Sequence, residues 1–372
     1  MILPFRRRLA VAAAAALLVT SLAACTHRKS PAAASPALVS ATSVPSSAIE
    51  SAPPAPSLSA SESPSESASA TASASPSPAP AKPRAVVAKA VGHPFTGGKE
   101  PLGPVVAVKV NNNFPGLPQS GLDQADVIYE ELIEGGETRL CAIFSTQRPN
   151  VVGPIRSARE TDIELLAQYG RIDLAFSGAN RLMLGVVRRA NLVDARWDAV
   201  PAAYTELKNG RHAPYRVHAS IPKLLARTSP VNAHDVGFRF GSSHSPSSAA
   251  RTVTIHWPGM TNTIRYDAST RRWTVYIGSH RQVTVDNLIV QYVKIKQTGF
   301  TDVVGNHTPL ARTLGSGKVM VFRDGRAVDG SWHRQFMKSP TIMLDSKRQH
   351  LLLRPGSTFV MLVPNTERVS IS

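Results

Sequence analysis

Five carboxylates crowd the stretch "ADVIYEELIEGGETR", as Asp126, Glu130, Glu131, Glu134 and Glu137, and Arg139 closes it. A second charged group follows in "VGPIRSARE", where Arg156 and Arg159 flank Ser157. Two chemistries fit these residue types. A pair of carboxylates on either side of a sugar linkage is the equipment of a glycosidase. Guanidinium forks instead bind carboxylate or phosphate with two parallel hydrogen bonds. Arg156 and Arg159 sit where a helix is predicted to start, at the positive end of its dipole, so a negative group must answer them. Glu160, the acidic row of the preceding stretch and an external anion are the three candidates. Arg139, Arg156, Arg159, Glu130 and Glu134 are therefore the candidate ligand-binding residues, and no catalytic residue is assigned.

Other chemistry finds little support. His212 and His218 are six apart in a loop-like segment and the remaining histidines lack ligand spacing, so no metal is expected. No Gly-rich phosphate loop, nucleophile elbow or nicotinamide fingerprint is present, and no cofactor is expected. Ser157 and Glu160 have the spacing of a capping box, which explains Ser157 without making it a nucleophile. Cys141 reads as a small buried strand residue.

The elements that must position these groups follow from periodicity. "GPVVAVKVNN" reads as a buried strand. The acidic stretch reads as a hairpin about Gly135-Gly136, a favoured two-residue turn. That register pairs Glu134 with Glu137, Leu132 with Arg139, Glu131 with Leu140 and Glu130 with Cys141. Glu130, Glu134, Glu137 and Arg139 then share one face. Glu131 falls on the apolar face, either at a fraying edge or as a buried paired acid. A helix from Ser157 to Gly170, the strand "RIDLAFSGAN" and an amphipathic stretch from Asn180 complete a layered α/β pattern. After the Gly/Ser-rich "FGSSHSPSSAA", strands alone follow: "TVTIHW", "NTIRYD", "RRWTVYIG", "NLIVQYVKIK", "GKVMVFRDG", "PTIMLD" and "STFVMLVP". The fold class is thus α+β or α/β, with an N-terminal layered α/β domain at 94–245 and a mostly antiparallel β domain at 246–372.

The N-terminus carries an address. "MILPFRRRLAVAAAAALLVTSLAAC" joins a basic start to a short apolar core and small residues before Cys25, a secretory signal over 1–24. Leu22-Ala23-Ala24-Cys25 matches the lipobox, so Cys25 is expected to carry lipid, palmitate included, and to tether the chain to the membrane's extracytoplasmic face. Residues 25–93 are almost wholly Ala, Ser, Pro and Thr and bury too little apolar surface to order; they read as a disordered stalk. A chain of that length reaches roughly 45 Å. Of the net charge of +17, residues 94–245 hold 17 basic and 15 acidic side chains (+2) and residues 246–372 hold 17 and 7 (+10). Such an excess attracts polyanions. Export excludes nucleic acid and favours anionic wall polymers or headgroups.

"PQSGLDQADVIYEELIEGGETR", "VGPIRSAR", "GSGKVMVFRDGRAVDGSW" and "LLLRPGSTFVMLVP" resemble the YerB-like bacterial lipoproteins, over nearly all of 101–365. That resemblance implies a two-domain extracytoplasmic lipoprotein of unknown biochemical function, associated with wall synthesis, and it supplies no catalytic residues. The chain departs from the family's pattern at Leu117, where an Arg is usual, and at Ala219, where an Asn follows the His. The function expected is a membrane-anchored binding or accessory module of the cell-wall space, with an anionic glycan or a peptidoglycan-synthesis protein as partner. The alternative is a wall-glycan hydrolase or transferase using carboxylates of the 126–139 hairpin.

Overall fold

The computed structural model describes residues 92–372 apart from 208, 209, 244, 303 and 304. The predicted signal, Cys25 and all of the stalk but its last two residues lie outside the described residues. The first half supplies β1 (Val106–Asn111), β2 (Val127–Leu132), β3 (Thr138–Phe144), α1 (Glu160–Leu166), β4 (Asp173–Ala175), α2 (Arg181–Arg189), β5 (Val193–Asp194), β6 (Tyr204–Glu206), β7 (Val217–Ala219) and α3 (Ile221–Leu225). Strands alone follow: β8 (Ser248–Ala249), β9 (Thr252–His256), β10 (Thr261–Asp267), β11 (Arg272–Ile277), β12 (His280–Val285), β13 (Asn287–Thr301), β14 (His307–Arg312), β15 (Gly315–Arg323), β16 (Arg326–Arg334), β17 (Ile342–Leu344), β18 (Thr358–Pro364) and β19 (Val369–Ile371).

The chain is mostly β, in several sheets. A twelve-stranded sheet runs β17-β16-β15-β13-β18-β2-β3-β1-β4-β5, with β14 and β8 attached at its side. Its middle is the parallel pairing of β18 with β2, from Thr358 opposite Val127 to Leu362 opposite Glu131. Residues 94–245 and 246–372 therefore share one sheet. Strands buried on both sides read as continuous apolar runs, which is why "VVAVKV" and "FVMLV" lack alternation. A five-stranded sheet, β12-β11-β10-β9-β19, shows the alternation of a half-buried surface.

Two cores lie on opposite faces of the large sheet. Val106, Val108, Val110, Ile128, Leu140 and Phe144 pack with Ile255, Trp273 and Val275 of the five-stranded sheet. Val105, Ala107, Val127, Tyr129, Cys141 and Ile143 pack instead with Leu165 and Leu166 of α1 and with Met183 and Val187 of α2. Cys141 is buried, and burial pushes its thiol well above the usual range.

Two local expectations are corrected. The hairpin loop holds three residues, Glu134–Gly136, with Gly135 and Gly136 both left-handed at φ 69 and 75 and Ile133 N–H donating to Glu137 O at 2.8 Å. One extra loop residue slips the register by one, so Glu130 faces Leu140 and Glu131 faces Arg139. The helix start also differs. Arg159 is the N-cap and its backbone N–H donates to Asp162 Oδ2 at 2.7 Å, so Asp162 takes the place expected for Glu160. Ser157 lies outside the helix, its carbonyl accepting from Arg139.

Candidate functional site

Beneath the predicted site lies a charged group the sequence did not connect. Lys109, Glu131 and Asp162 are all fully buried, with Lys109 Nζ bonded to Glu131 and, at 2.7 Å, to Asp162 Oδ1. Burial disfavours the ammonium, but Asp162 and Glu131 outweigh it and raise the Lys109 pKa. Burial and Asp162 raise that of Glu131. The lone lysine in "VVAVKVNN" was the signal available for this triad, since a charge inside a buried strand must find a partner.

The triad fixes what stands above it. Asp162 holds the Arg159 backbone. Arg156 N–H donates to Lys109 O at 2.9 Å, and Arg156 O accepts from Ser177 N–H at 3.0 Å. A bridge between Val110 and Ile155 aligns the same segment with β1. The "GPIRSAR" segment is thus laced to the end of β1, beyond its pairing with β4, and its arginines line the cleft beside the hairpin loop.

There the structure opens a cleft of about 550 Å³. Arg139, Arg156, Arg159, Glu134, Glu137 and Glu160 line it, closed on the far side by Phe300, Thr301, Asp302 and Thr308 of β13, β14 and their connection. Four of the five residues singled out in the sequence come together: Arg139, Arg156, Arg159 and Glu134. Glu130 does not. The register slip turns it to the opposite face, where it is fully buried and bonded by Asn112 and Thr138. Sequence reasoning also missed the contribution of β13 and β14, which sequence separation conceals.

The charges in the cleft are unevenly matched. Arg159 Nε reaches both oxygens of Glu134, at 2.8 and 2.9 Å, and Thr308 donates to the same carboxylate. Burial alone would raise the Glu134 carboxyl, but Arg159 and Thr308 hold it below the usual range. Arg156 lies over the Tyr215 ring at 5.2 Å, and its Nε has no hydrogen-bond partner among the described residues. Burial, and then Arg159, lower its pKa. Arg139 is 5% exposed; it donates to Ser157 O at 3.1 Å and makes no ion pair among the described residues. Burial, then Arg159 and Arg156, push its pKa down to about 9. A guanidinium is normally charged at any accessible pH, so Arg139 is a buried cation with no direct ion pair among the described residues, in a cleft lined by three arginines and by the acids Glu134, Glu137, Glu160 and Asp302.

Residues 92–234 match the family "Protein of unknown function (DUF3048) N-terminal domain" and residues 253–360 match its C-terminal domain. The chain belongs to the DUF3048 family. It is 27% identical over 286 residues to "Putative lipoprotein YerB" of Bacillus subtilis (strain 168), covering 72% of this chain and 83% of that protein. The crystal structure of YerB from Bacillus subtilis superposes with a TM-score of 0.60 at 20% identity, covering 74% of this chain and 98% of that one. The mostly β architecture is therefore shared. No helix among the described residues is long and apolar enough to cross a membrane.

Proposed function

We propose that this protein is a lipoprotein, anchored through Cys25 on the extracytoplasmic face of the cell membrane, whose cleft binds an anionic group of a cell-wall glycan. Residues 94–245, as a layered α/β domain, supply the arginines; residues 246–372 supply the far wall. One observation carries the reading: Arg139 is buried at the cleft, beside Arg156 and Arg159, without an ion-pair partner among the described residues. A carboxylate or phosphate entering the cleft would give Arg139 a direct partner through charge-assisted hydrogen bonds. The hydrolase alternative draws less support. Glu130 faces away from the cleft, and Glu134 is committed to Arg159, which stabilises its ionised form and unsuits it as a proton donor.

The test is binding of solubilised peptidoglycan fragments to the full chain and to Arg139→Gln. The variant is expected to lose at least tenfold in affinity without a lower thermal midpoint, because it removes a poorly compensated buried charge. Equal affinity of both proteins would overturn the reading.

A further inference from the structure

A second concentration of charge lies away from the cleft, where the β10–β11 turn, the β15–β16 turn and the approach to β18 converge. Arg271 Nη2 reaches Asp324 Oδ1 at 2.7 Å, and Arg323 Nε binds Oδ2 of the same carboxylate at 3.0 Å. Arg354 donates to the Arg271 carbonyl and approaches Asp286 at 3.5 Å, with Arg272 at 3.6 Å from that acid. Arg251 lies over Tyr266 at 5.3 Å, and both side chains crowd Gly325, where an added Cβ would meet them at 2.9 and 2.7 Å. The neighbouring Arg326 is exposed and bonded to Ser247.

Arg251, Arg271, Arg272, Arg323, Arg326 and Arg354 thus gather around two carboxylates, each shared by two guanidinium groups. The third acid nearby, Asp267, is engaged by Ser269 and Thr270 of its own turn. Six arginine side chains thus stand against three acidic ones; Arg323 is buried and bonded to Gly241 O and Leu352 O, which leaves Arg251, Arg271 and Arg326 as the exposed members. A guanidinium has five N–H donors, and a shared carboxylate cannot occupy them. The side chain of Arg271 is 60% exposed and is shared between Asp324 and Tyr266, with donors to spare. An internal ion-pair network would balance its charges. This one holds its arginines in fixed geometry and leaves them in surplus.

We infer that this arginine patch binds a phosphodiester polymer, in which phosphates recur along an extended chain and each can take a guanidinium fork. The spread of the arginines over separate turns suits a repeated anion better than a single one. A membrane surface fits less well, because surfaces that enter the headgroup layer combine cations with exposed apolar side chains. Of the large exposed apolar residues described, Ile371 alone belongs to a strand bordering the patch. The patch is independent of the cleft, and its occupancy does not rest on the reading of Arg139.

The experiment uses the full chain carrying Cys25→Ser, so that lipid does not itself drive adsorption. The probes are poly(glycerol phosphate), glycerol phosphate monomer and phosphatidylglycerol vesicles, each titrated across salt concentrations. The patch variant is Arg251→Gln/Arg271→Gln/Arg326→Gln. A control, Arg148→Gln/Arg188→Gln/Arg227→Gln, removes equal charge from exposed arginines elsewhere. The polymer is expected to bind far better than the monomer, and the patch variant to lose at least tenfold. Its log–log salt slope should fall by about 2, three contacts at roughly 0.7 each. The control and Arg139→Gln should each change affinity less than threefold. Equal losses in patch and control variants would overturn the proposal, as would no polymer binding, or vesicles binding as tightly as polymer with the same variant dependence. Should the triple variant unfold, Arg326→Gln alone, whose side chain bonds only Ser247 among the described residues, must weaken polymer binding while the midpoint holds.

Discussion

Glu130 offers a test that depends on the corrected register. Its side chain is fully buried, Oε1 accepts from Asn112 Nδ2 at 2.8 Å and Thr138 Oγ1 at 2.7 Å, and Oε2 has no hydrogen-bond partner among the described residues. Burial pushes its pKa from 4.5 up to about 8, against the opposing bonds from Thr138 and Asn112. The folded state therefore keeps a proton that the unfolded state loses near pH 4.5. Stability contributed by this group is complete below pH 4.5 and declines as pH rises through about 8. The shift of about 3.5 units corresponds to at most about 5 kcal/mol at about 1.4 kcal/mol per unit. Glu130→Gln fixes the neutral form and should remove this slope. At pH 9 the variant is expected to melt above the parent by up to roughly 10 °C, taking about 2 °C per kcal/mol for a chain of this size. At pH 5 the two should nearly coincide. Calorimetry at unit intervals from pH 5 to 9 reads the difference, in which the other titrating groups cancel. Parallel profiles for the two proteins would refute the burial argument. Because Glu130 faces away from the cleft, the variant should bind wall fragments as the parent does.

Arg159→Ala leaves the buried Glu134 carboxylate without its guanidinium and should cost about 3 kcal/mol, read by chemical denaturation at pH 7. Since Arg159 depresses the Glu134 pKa, that stability is present above pH 4.5 and lost as pH falls through the lower folded value, so the variant's deficit should shrink in acid. Cys25→Ser should release the chain from the membrane fraction or leave it unprocessed; unchanged retention would defeat the anchor.

Much of the site was legible in the sequence, and the losses have physical causes. The cluster of Arg139, Arg156, Arg159 and Glu134 follows from charge and from chain proximity of hairpin and helix. The hairpin itself was plain, but "GG" supports loops of two or three residues, and one residue decides which acids share a face with Arg139. The capping pair slipped for a similar reason, because Glu160 and Asp162 both stand near the helix start and Asp162 is also drawn inward by Lys109. Contacts between distant segments were the least visible. Nothing local in β13 or β14 says that Thr308 will donate to Glu134, or that β18 will lie beside β2.

The unpaired state of Arg139 is itself a consequence of the triad. Glu131 stands directly opposite Arg139 across β2 and β3, at a separation where facing side chains routinely pair. It turns instead to Lys109, which also takes Asp162. Lys109 thus withholds from Arg139 the acid that faces it across the ladder and leaves that cation to the cleft, although Lys109 is not part of the cleft's lining. Lys109→Met should cost about 3–5 kcal/mol by stranding two buried carboxylates, and it should drive Glu131 onto Arg139. Binding of wall fragments is then expected to fall with every cleft residue intact. Adding Glu131→Gln removes the competing carboxylate, so the double variant should recover both binding and part of the stability. Lys109→Met protein that folds and binds as tightly as the parent would show that Arg139 is not governed by this exchange. Loss of binding in both single and double variants would mean that the triad acts on the cleft through its shape rather than through charge.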